Sequence, residues 1–242
     1  MKGDFFVHRV MDYLANMNWM GLLSLLVSAA AALVCITFHE LSHGYVAYRL
    51  GDPTAKQMGR ISLNPIKHLD PIGFLMMIFA GVGWAKPVPV DMRYFKNPKR
   101  GMAITALAGP VSNFLMAIVT MLICSLVYRL LLPTDSMVLL VVFYFLCNVA
   151  ILSVGLGLFN LIPISPLDGS KVLFSFLPDR VYYTILRYER YIMIAVIALV
   201  FFNVLDGPLS FCINGVLQFL CRVTGLPWEA LVVGSQILDF LG

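Results

Sequence analysis

Three long stretches without a charged residue restrict this chain to folds that a lipid bilayer can accommodate. They cover residues 19–38, 102–128 and 137–167, and each is long enough to cross a hydrocarbon core of about 30 Å as a helix. The whole chain of 242 residues is 60% hydrophobic and only 12% charged, with a mean hydropathy of +0.87. Soluble domains are much less apolar. We therefore expect an all-α polytopic membrane protein.

The first of these stretches runs directly into the sequence His39-Glu40-Leu41-Ser42-His43. On an α-helix, residues four apart share a face, so His39 and His43 can bind one metal ion while Glu40 reaches a water molecule beside it. This H-E-x-x-H spacing is typical of a catalytic zinc site. A buried histidine pair that merely bridges helices is the alternative. It leaves Glu40 unexplained, because a charged group at membrane depth costs about 3 kcal/mol or more.

A catalytic zinc ion takes three protein ligands and keeps its fourth position open. The third ligand that we expect is Asp168, in the segment NLIPISPLDG at 160–169, where two prolines and a glycine interrupt an apolar helix. Irregular backbone at membrane depth is tolerated only where it is buried or lines a water-filled cavity, so this segment predicts a cavity. A solvated Asp168 at a plain helix end is the alternative. Fe²⁺, Co²⁺ or Mn²⁺ suit the same ligands as zinc.

We expect one membrane domain with about four to six transmembrane helices and a small membrane-associated β-hairpin or re-entrant region. The apolar run at 72–84 is short for a crossing, and it either re-enters the membrane or spans it. The runs around the break at 206–208 form either a hairpin or one kinked crossing. The predicted parts of the domain 1–242 are an interfacial helix at 1–18, a helix with HELSH at 19–48, a cytoplasmic or re-entrant β-hairpin region at 49–101, two core helices ending in the PLDG loop at 102–169, and C-terminal helices at 170–242.

The distribution of basic residues predicts one orientation in the membrane. If residues 72–84 re-enter, residues 49–101 and 166–190 lie on one side and carry 13 of the 17 Lys and Arg residues. The positive-inside rule makes that side cytoplasmic and puts the active site in the cytoplasmic half of a prokaryotic cell membrane. A full crossing at 72–84 would remove this asymmetry. Because the basic residues are scattered through loops, we expect no nucleic-acid partner.

The region after the first long helix offers a way to hold an unwound substrate. A transmembrane substrate is helical, and its carbonyls are occupied by hydrogen bonds until the helix unwinds. The alternating prolines at 86–90 permit only an edge strand, and residues 59–63 are a candidate partner for its other side. We hypothesise that this hairpin, with Val88 and Ile61 in its two strands, receives the substrate by strand addition. A purely structural hairpin is the alternative.

Motifs spread over residues 35–175 resemble those of the site-2 protease family of intramembrane zinc metalloproteases, and they stand in the family's order. They are HELSH at 39–43, GDPTAKQMGRISLNPIKHLDPIGF at 51–74, GWAKPVPVD at 83–91, AGPVSN at 108–113 and NLIPISPLDG at 160–169. The similarity is closest to the compact bacterial branch without PDZ or CBS domains.

This resemblance implies a zinc-dependent endopeptidase that hydrolyses peptide bonds in or near transmembrane segments of membrane proteins, as in regulated intramembrane proteolysis. The implied partners are such substrates and the lipid bilayer. The resemblance assigns one Zn²⁺ per chain to His39, His43 and Asp168, and it makes Glu40 the catalytic acid and base.

The resemblance also gives Asn113 and Asn160 conformational or substrate-contacting roles. Interhelical hydrogen bonding is the common alternative use of amides in membranes. Two positions depart from the family pattern, because Ser165 stands where proline is common and Ser170 stands where a second glycine is common. Neither is a ligand, so these differences concern the flexibility of the loop rather than the chemistry.

Two other classes of protein use buried ionisable residues in this way. A transporter or channel would use His, Glu and Asp beside a broken helix as an ion or proton path. A membrane-bound binding protein would keep the fold without catalysis. The sequence has no inverted repeat and contains His39, Glu40, His43 and Asp168 together, which favours the hydrolase.

Overall fold

A computed structural model of the chain describes residues 19–73, 85–131, 133–134, 136–202 and 204–237. Three of its helices are long and apolar enough to cross a membrane. These are α1 (Trp19–Arg49), α3 (Pro98–Leu131) and α4 (Met137–Leu161). The shorter or more polar helices are α2 (Thr54–Gln57), α5 (Asp168–Phe174), α6 (Asp179–Phe201), α7 (Asp206–Thr224) and α8 (Trp228–Gly234), with 3-10 turns at Pro65–Lys67 and Met92–Tyr94.

Local sequence signals explain where several helices begin and end. Pro98 occupies the first position of α3, where its missing N–H is not needed. The Ser136 side chain accepts a hydrogen bond from the backbone N–H of Leu139 and caps α4. Gly225 ends α7 with φ of 70°, a left-handed conformation that glycine adopts without strain. These boundaries follow from nearby residues and need no tertiary contact.

Helices α1 and α4 run in the same direction, since partners of successive α1 residues advance along α4. Ser24 Oγ lies 2.7 Å from Tyr144 Oη, and Cys35 Sγ lies 3.2 Å from Ser153 Oγ. Such hydroxyl and thiol contacts join helices that the hydrophobic effect cannot hold together in lipid.

Helix α3 runs in the opposite direction, because contacts near the end of α1 fall near its beginning. His43 lies against Thr105, and His39 lies against Asn113 further along α3. The end of α1, the beginning of α3 and the end of α4 therefore meet at one end of the bundle. The polar residues just after α1 and just before α3 lie at this end too, because they adjoin those helix ends.

The outer surface of the bundle is apolar. On α3, Leu115, Val119, Leu122 and Leu126 are all exposed, and their spacing places them on one face. A soluble protein rarely exposes such a stripe. Together with the three long apolar helices, this surface identifies a membrane protein.

Among the described residues, the predicted count of four to six spans is not confirmed. Three helices qualify singly, and a fourth span exists only if α7 and α8, which are bent by 118° at a short break, count as one. The break predicted at 206–208 falls at the beginning of α7. The predicted interfacial helix at 1–18 and residues 74–84 of the predicted re-entrant segment lie outside the described residues.

The predicted β-hairpin in residues 49–101 is not confirmed. Within the described part of that region, the only β-pairing is one isolated antiparallel bridge between Leu69 and Ala85. Helix α2 and the two 3-10 turns also lie in this region.

A side chain supplies hydrogen bonds where backbone pairing of a β-ladder was expected. The guanidinium of Arg60 donates to the carbonyl of Lys86 at 2.5 Å and to that of Pro87 at 3.2 Å. The prolines within 86–90 have no N–H to offer a neighbouring strand. The segment at 59–63 is therefore joined to 86–90 through Arg60 rather than through backbone pairing.

Candidate active site

Helix α1 presents His39 and His43 side by side. Both are buried, and their rings stand at 88° with centroids 4.6 Å apart. Asp168 comes to them from the first residue of α5, with its Oδ2 3.0 Å from His39 Nε2 and 3.2 Å from His43 Nε2. The potential ligand atoms of the three residues lie within 4.8 Å of one another. The structure thus brings together the three residues that the sequence suggested as metal ligands.

Contacts on the far side of each ring determine which nitrogen carries a proton. His43 Nδ1 lies 2.8 Å from the carbonyl oxygen of Thr105, which can only accept, so Nδ1 donates and carries the hydrogen. His39 Nδ1 lies 3.1 Å from the amide of Asn113, whose buried Oδ1 has no partner. The two ends of an amide have nearly the same shape. Turning the amide over lets Oδ1 accept from His39 Nδ1, which gives both histidines the same tautomer.

With Nδ1 protonated, both Nε2 atoms direct lone pairs towards the Asp168 carboxylate. Three acceptors this close together repel one another unless a cation lies between them, either as protons or as a metal ion. Two imidazole nitrogens and one carboxylate oxygen suit zinc, with an open position for water or substrate. The donor set therefore fits a catalytic zinc ion.

Asp168 has the charge that such a site needs. Burial by itself raises the pKa of this carboxyl, but hydrogen bonding and electrostatic attraction to His39 and His43 lower it to about 2. The carboxylate is therefore ionised at neutral pH, as metal binding requires.

Two glycines make room for this cluster, of which the sequence suggested Gly169 only as a helix breaker and Gly109 not at all. A Cβ on Gly109 of α3 would lie 2.5 Å from Cε1 of His43 and 2.6 Å from Cε1 of His39. A Cβ on Gly169 would collide with the backbone carbonyl of Leu161. Glycine allows these close approaches because it has no Cβ. The sequence does contain a sign of this role for Gly109, because the residue stands inside an apolar helix pattern, where glycine is otherwise unfavourable.

Glu40 faces the same site and has one fixed partner. Its Oε2 accepts a hydrogen bond of 2.8 Å from the backbone N–H of Val88. Val88 is buried, and its Cγ1 lies 3.1 Å from the position that a Cβ on Gly44 would take. Ile61 Cγ1 lies 3.4 Å from the same point. Val88 and Ile61 therefore pack next to each other against helix α1, beside the HELSH motif.

A cavity of about 610 Å³ contains the reactive groups. Asn160 lines it and donates from Nδ2 to the carbonyl of Leu156 in its own helix. Asn113 is completely buried behind His39. The two asparagines thus occupy different places, one in the cavity wall and one behind a histidine ring. The other lining residues include His39, Glu40, His43, Val88, Asp168, Lys171 and Met193.

Comparisons with known proteins agree with this chemistry. Residues 27–203, which include both histidines, Glu40 and Asp168, match the model of peptidase family M50. The protein named "Putative zinc metalloprotease YwhC" of Bacillus subtilis is 40% identical over 164 residues, which is 66% of this chain and 73% of that relative.

More distant relatives carry similar names. "Putative zinc metalloprotease Rip2" of Mycobacterium tuberculosis is 26% identical over 216 residues, covering 87% of this chain and 79% of that protein. "Zinc metalloprotease MJ0392" of Methanocaldococcus jannaschii is 29% identical over 147 residues, covering 61% of this chain and 33% of its own length. No solved structure matches the chain significantly. The chain therefore belongs to peptidase family M50, the site-2 protease family, and is a zinc metalloprotease.

Proposed function

We propose that this metalloprotease is an endopeptidase that acts within the membrane, on peptide bonds in or near transmembrane segments of other membrane proteins. One observation carries the proposal: the cavity with His39, Glu40 and Asp168 opens beside a helix that is long and apolar enough to span. His39 lies ten residues before the end of α1, which is about 15 Å along the helix axis. A peptide bond reaching this cavity lies at or below the membrane surface.

His39, His43 and Asp168 are the residues that would hold the zinc ion. Bound there, Zn²⁺ supplies acidification of a water molecule and polarisation of a peptide carbonyl. Thr105 and Asn113 orient the two imidazoles through Nδ1, as partners of metal-binding histidines commonly do.

Glu40 acts as the general base and then as the general acid. Its carboxylate takes a proton from the attacking water and returns that proton to the nitrogen of the leaving amine. Water is thereby added across the C–N bond, giving one carboxyl and one amino terminus without a covalent enzyme intermediate. The N–H of Val88 holds Oε2 of Glu40 and leaves Oε1 for the water.

The substrate must unwind before its carbonyl can be attacked, because a helical carbonyl is already hydrogen-bonded. Asn160 lines the cavity with its Nδ2 occupied, so its Oδ1 can accept a hydrogen bond from an unwound substrate N–H. We assign the contact with the extended chain to Asn160 and the cavity wall at 85–90. Ile61 packs beside Val88 against helix α1 and so supports that wall.

We place the protein in a prokaryotic cell membrane as one domain over 1–242, with its active site in the cytoplasmic half. Thirteen of its 17 basic residues support this orientation. Cleavage of membrane-anchored substrates at this depth suits regulated intramembrane proteolysis.

The test is cleavage of a single-span substrate by the purified full chain in detergent. Wild-type protein should yield product, and a chelator should abolish it. Glu40→Gln should lower kcat by about 10²–10⁴-fold, which is the usual contribution of a general acid–base residue, while the zinc content stays at one per chain. Glu229→Gln on α8 is the matched control, since Glu229 is distant from the cavity in sequence and does not line it. Equal cleavage by Glu40→Gln, or cleavage that survives the chelator, would refute the proposal.

A further inference from the structure

The loop that carries Asp168 is anchored on both sides by one carboxylate of another helix. Ser165 stands three residues before Asp168, and its Oγ donates to Oε1 of Glu189 at 2.8 Å. Lys171 stands three residues after Asp168, and its Nζ donates to the same oxygen at 2.6 Å. Glu189 lies on α6. Asp168 therefore lies between two residues whose side chains both donate a hydrogen bond to Oε1 of Glu189.

This group of three residues, which we call the Glu189 clamp, is partly withdrawn from solvent. Ser165 is 1% exposed, and the side chains of Lys171 and Glu189 are 17% and 33% exposed. An ion pair taken out of water gives little net stability, because desolvation offsets the attraction between the charges. Loss of one partner, in contrast, leaves the other charge buried and unpaired. The clamp is thus better suited to fixing a geometry than to stabilising the fold.

The clamp faces the active site. Lys171 lines the cavity together with Asp168, and so does Met193, which follows Glu189 by one helical turn. Residues four apart on a helix lie on one face, so Glu189 and Met193 turn the same side of α6 towards the site. The clamp therefore joins the middle of α6 to the loop at the edge of the cavity.

A second attachment of α6 lies near the beginning of that helix. There Lys99 of α3 pairs with Asp179, and Tyr182 donates a hydrogen bond to the sulfur of Met92. Asp179 is 78% exposed. This second ion pair holds the same helix without touching the Asp168 loop, and it provides a matched comparison.

We infer that Glu189 is a positioning residue that holds Ser165 and Lys171 so that the loop between them delivers Asp168 to the histidine pair. This inference rests on the proposed role of Asp168 as a zinc ligand. Without the clamp, the loop loses both of these hydrogen bonds to α6, and the third ligand is positioned less firmly. Zinc should then leave faster, and the chemical step should slow, while substrate binding is little changed.

The test measures release of zinc from the purified, zinc-loaded full chain to a chromogenic chelator. Partners beyond the ligands typically contribute 10- to 100-fold to metal affinity, so Glu189→Gln should release zinc about 10-fold faster than wild type. Ser165→Ala, a smaller change, should give an intermediate rate, and it should add little in the Glu189→Gln background. With a single-span substrate, kcat should fall while KM stays near the wild-type value.

Asp179→Asn is the control, and it should release zinc at the wild-type rate. The charge swap of Lys171→Glu with Glu189→Lys should retain zinc longer than either single variant, because the ion pair is restored. Wild-type release rates in Glu189→Gln, or equal acceleration in Asp179→Asn, would overturn the inference. Because zinc release does not depend on cleavage, a failure of the wild type to cleave membrane substrates would contradict the proposed function and leave this result intact.

Discussion

His39 and His43 each make contacts on two sides, with Nε2 towards Asp168 and Nδ1 towards a partner on α3. The partner of His43 is a backbone carbonyl, which no side-chain substitution at Thr105 removes. The partner of His39 is the side chain of Asn113, which a substitution can remove. The two histidines are thus held by groups of different kinds. Only the contact between His39 and Asn113 can be tested directly by substitution.

Asn113→Ala should weaken zinc binding by about 10- to 100-fold, because His39 loses the acceptor that fixes its tautomer. Asn113→Asp should bind zinc nearly as well as wild type, since a carboxylate also accepts from Nδ1. Competition with a chelator of known affinity measures both. A raised KM with unchanged zinc affinity in Asn113→Ala would instead favour a substrate-contacting role.

Gly109→Ala should prevent zinc binding, because its Cβ would lie 2.5 Å from atoms of the His43 ring. Either the imidazole must rotate away from Asp168 or α3 must move off α1. Metal analysis of the purified protein should find well under one zinc per chain. The control is Gly215→Ala on α7, where a Cβ meets nothing within 4 Å. Gly215→Ala should keep its zinc and gain up to about 1 kcal/mol in helix stability. Full zinc content in Gly109→Ala would contradict the close approach of the helices.

At the scale of elements, the segment 85–90 and helix α1 form one unit. Val88 packs against Gly44 and donates its N–H to Glu40, while Arg60 occupies the carbonyls of Lys86 and Pro87. The carbonyls of Lys86 and Pro87 and the N–H of Val88 are therefore used within the protein. A role for this segment in substrate binding has to rely on its remaining backbone groups or on the surface that it turns to the cavity.

Val88→Pro should reduce kcat by roughly 10-fold or more, because it removes a hydrogen bond to a charged group that contributes about 1.5–3 kcal/mol. Zinc content should stay at one per chain, since no ligand is altered. Val88→Ala keeps the N–H and shortens the side chain, so it should affect kcat much less. Steady-state cleavage of the single-span substrate separates these effects. A raised KM with unchanged kcat in Val88→Pro would indicate that Val88 binds the substrate by strand addition and that its hydrogen bond to Glu40 is not needed for catalysis.

At the scale of the whole molecule, three long helices in alternating directions bring the end of α1, the beginning of α3 and the end of α4 to one side. The polar residues just after α1 and just before α3 share that side with the Asp168 loop. The candidate active site lies there because its potential metal ligands come from α1 and from the chain just beyond α4.

The proposed orientation predicts which loops a membrane-impermeant maleimide can label in intact cells. In a background without the five native cysteines, Thr134→Cys between α3 and α4 should react from outside. Gln57→Cys on the opposite side should react only after permeabilisation. Both positions are exposed. The reverse pattern would place the active site in the outer half, and labelling of both in intact cells would contradict a span at α3.

Much of the fold could be predicted because bilayer solvation acts on each segment separately. A long apolar stretch must form a helix to satisfy its own backbone, so α1, α3 and α4 emerge where the uncharged stretches lie. The β-hairpin predicted in 49–101 is not confirmed among the described residues, and the same reasoning does not extend to it. Its alternating prolines restrict backbone pairing without saying what replaces it, and the replacement, the guanidinium of Arg60, comes from 26 residues away.

The sequence by itself determined the three apolar helices and the placing of His39, Glu40 and His43 on one helical face, because both depend on the period and length of a single helix. Tertiary structure alone decided that Gly109 makes room for the rings, that Asn113 lies behind His39 and that Val88 holds Glu40. It also decided that Glu189 joins Ser165 to Lys171. These contacts connect residues far apart in the chain, so they exist only once the helices have taken their directions and distances from one another.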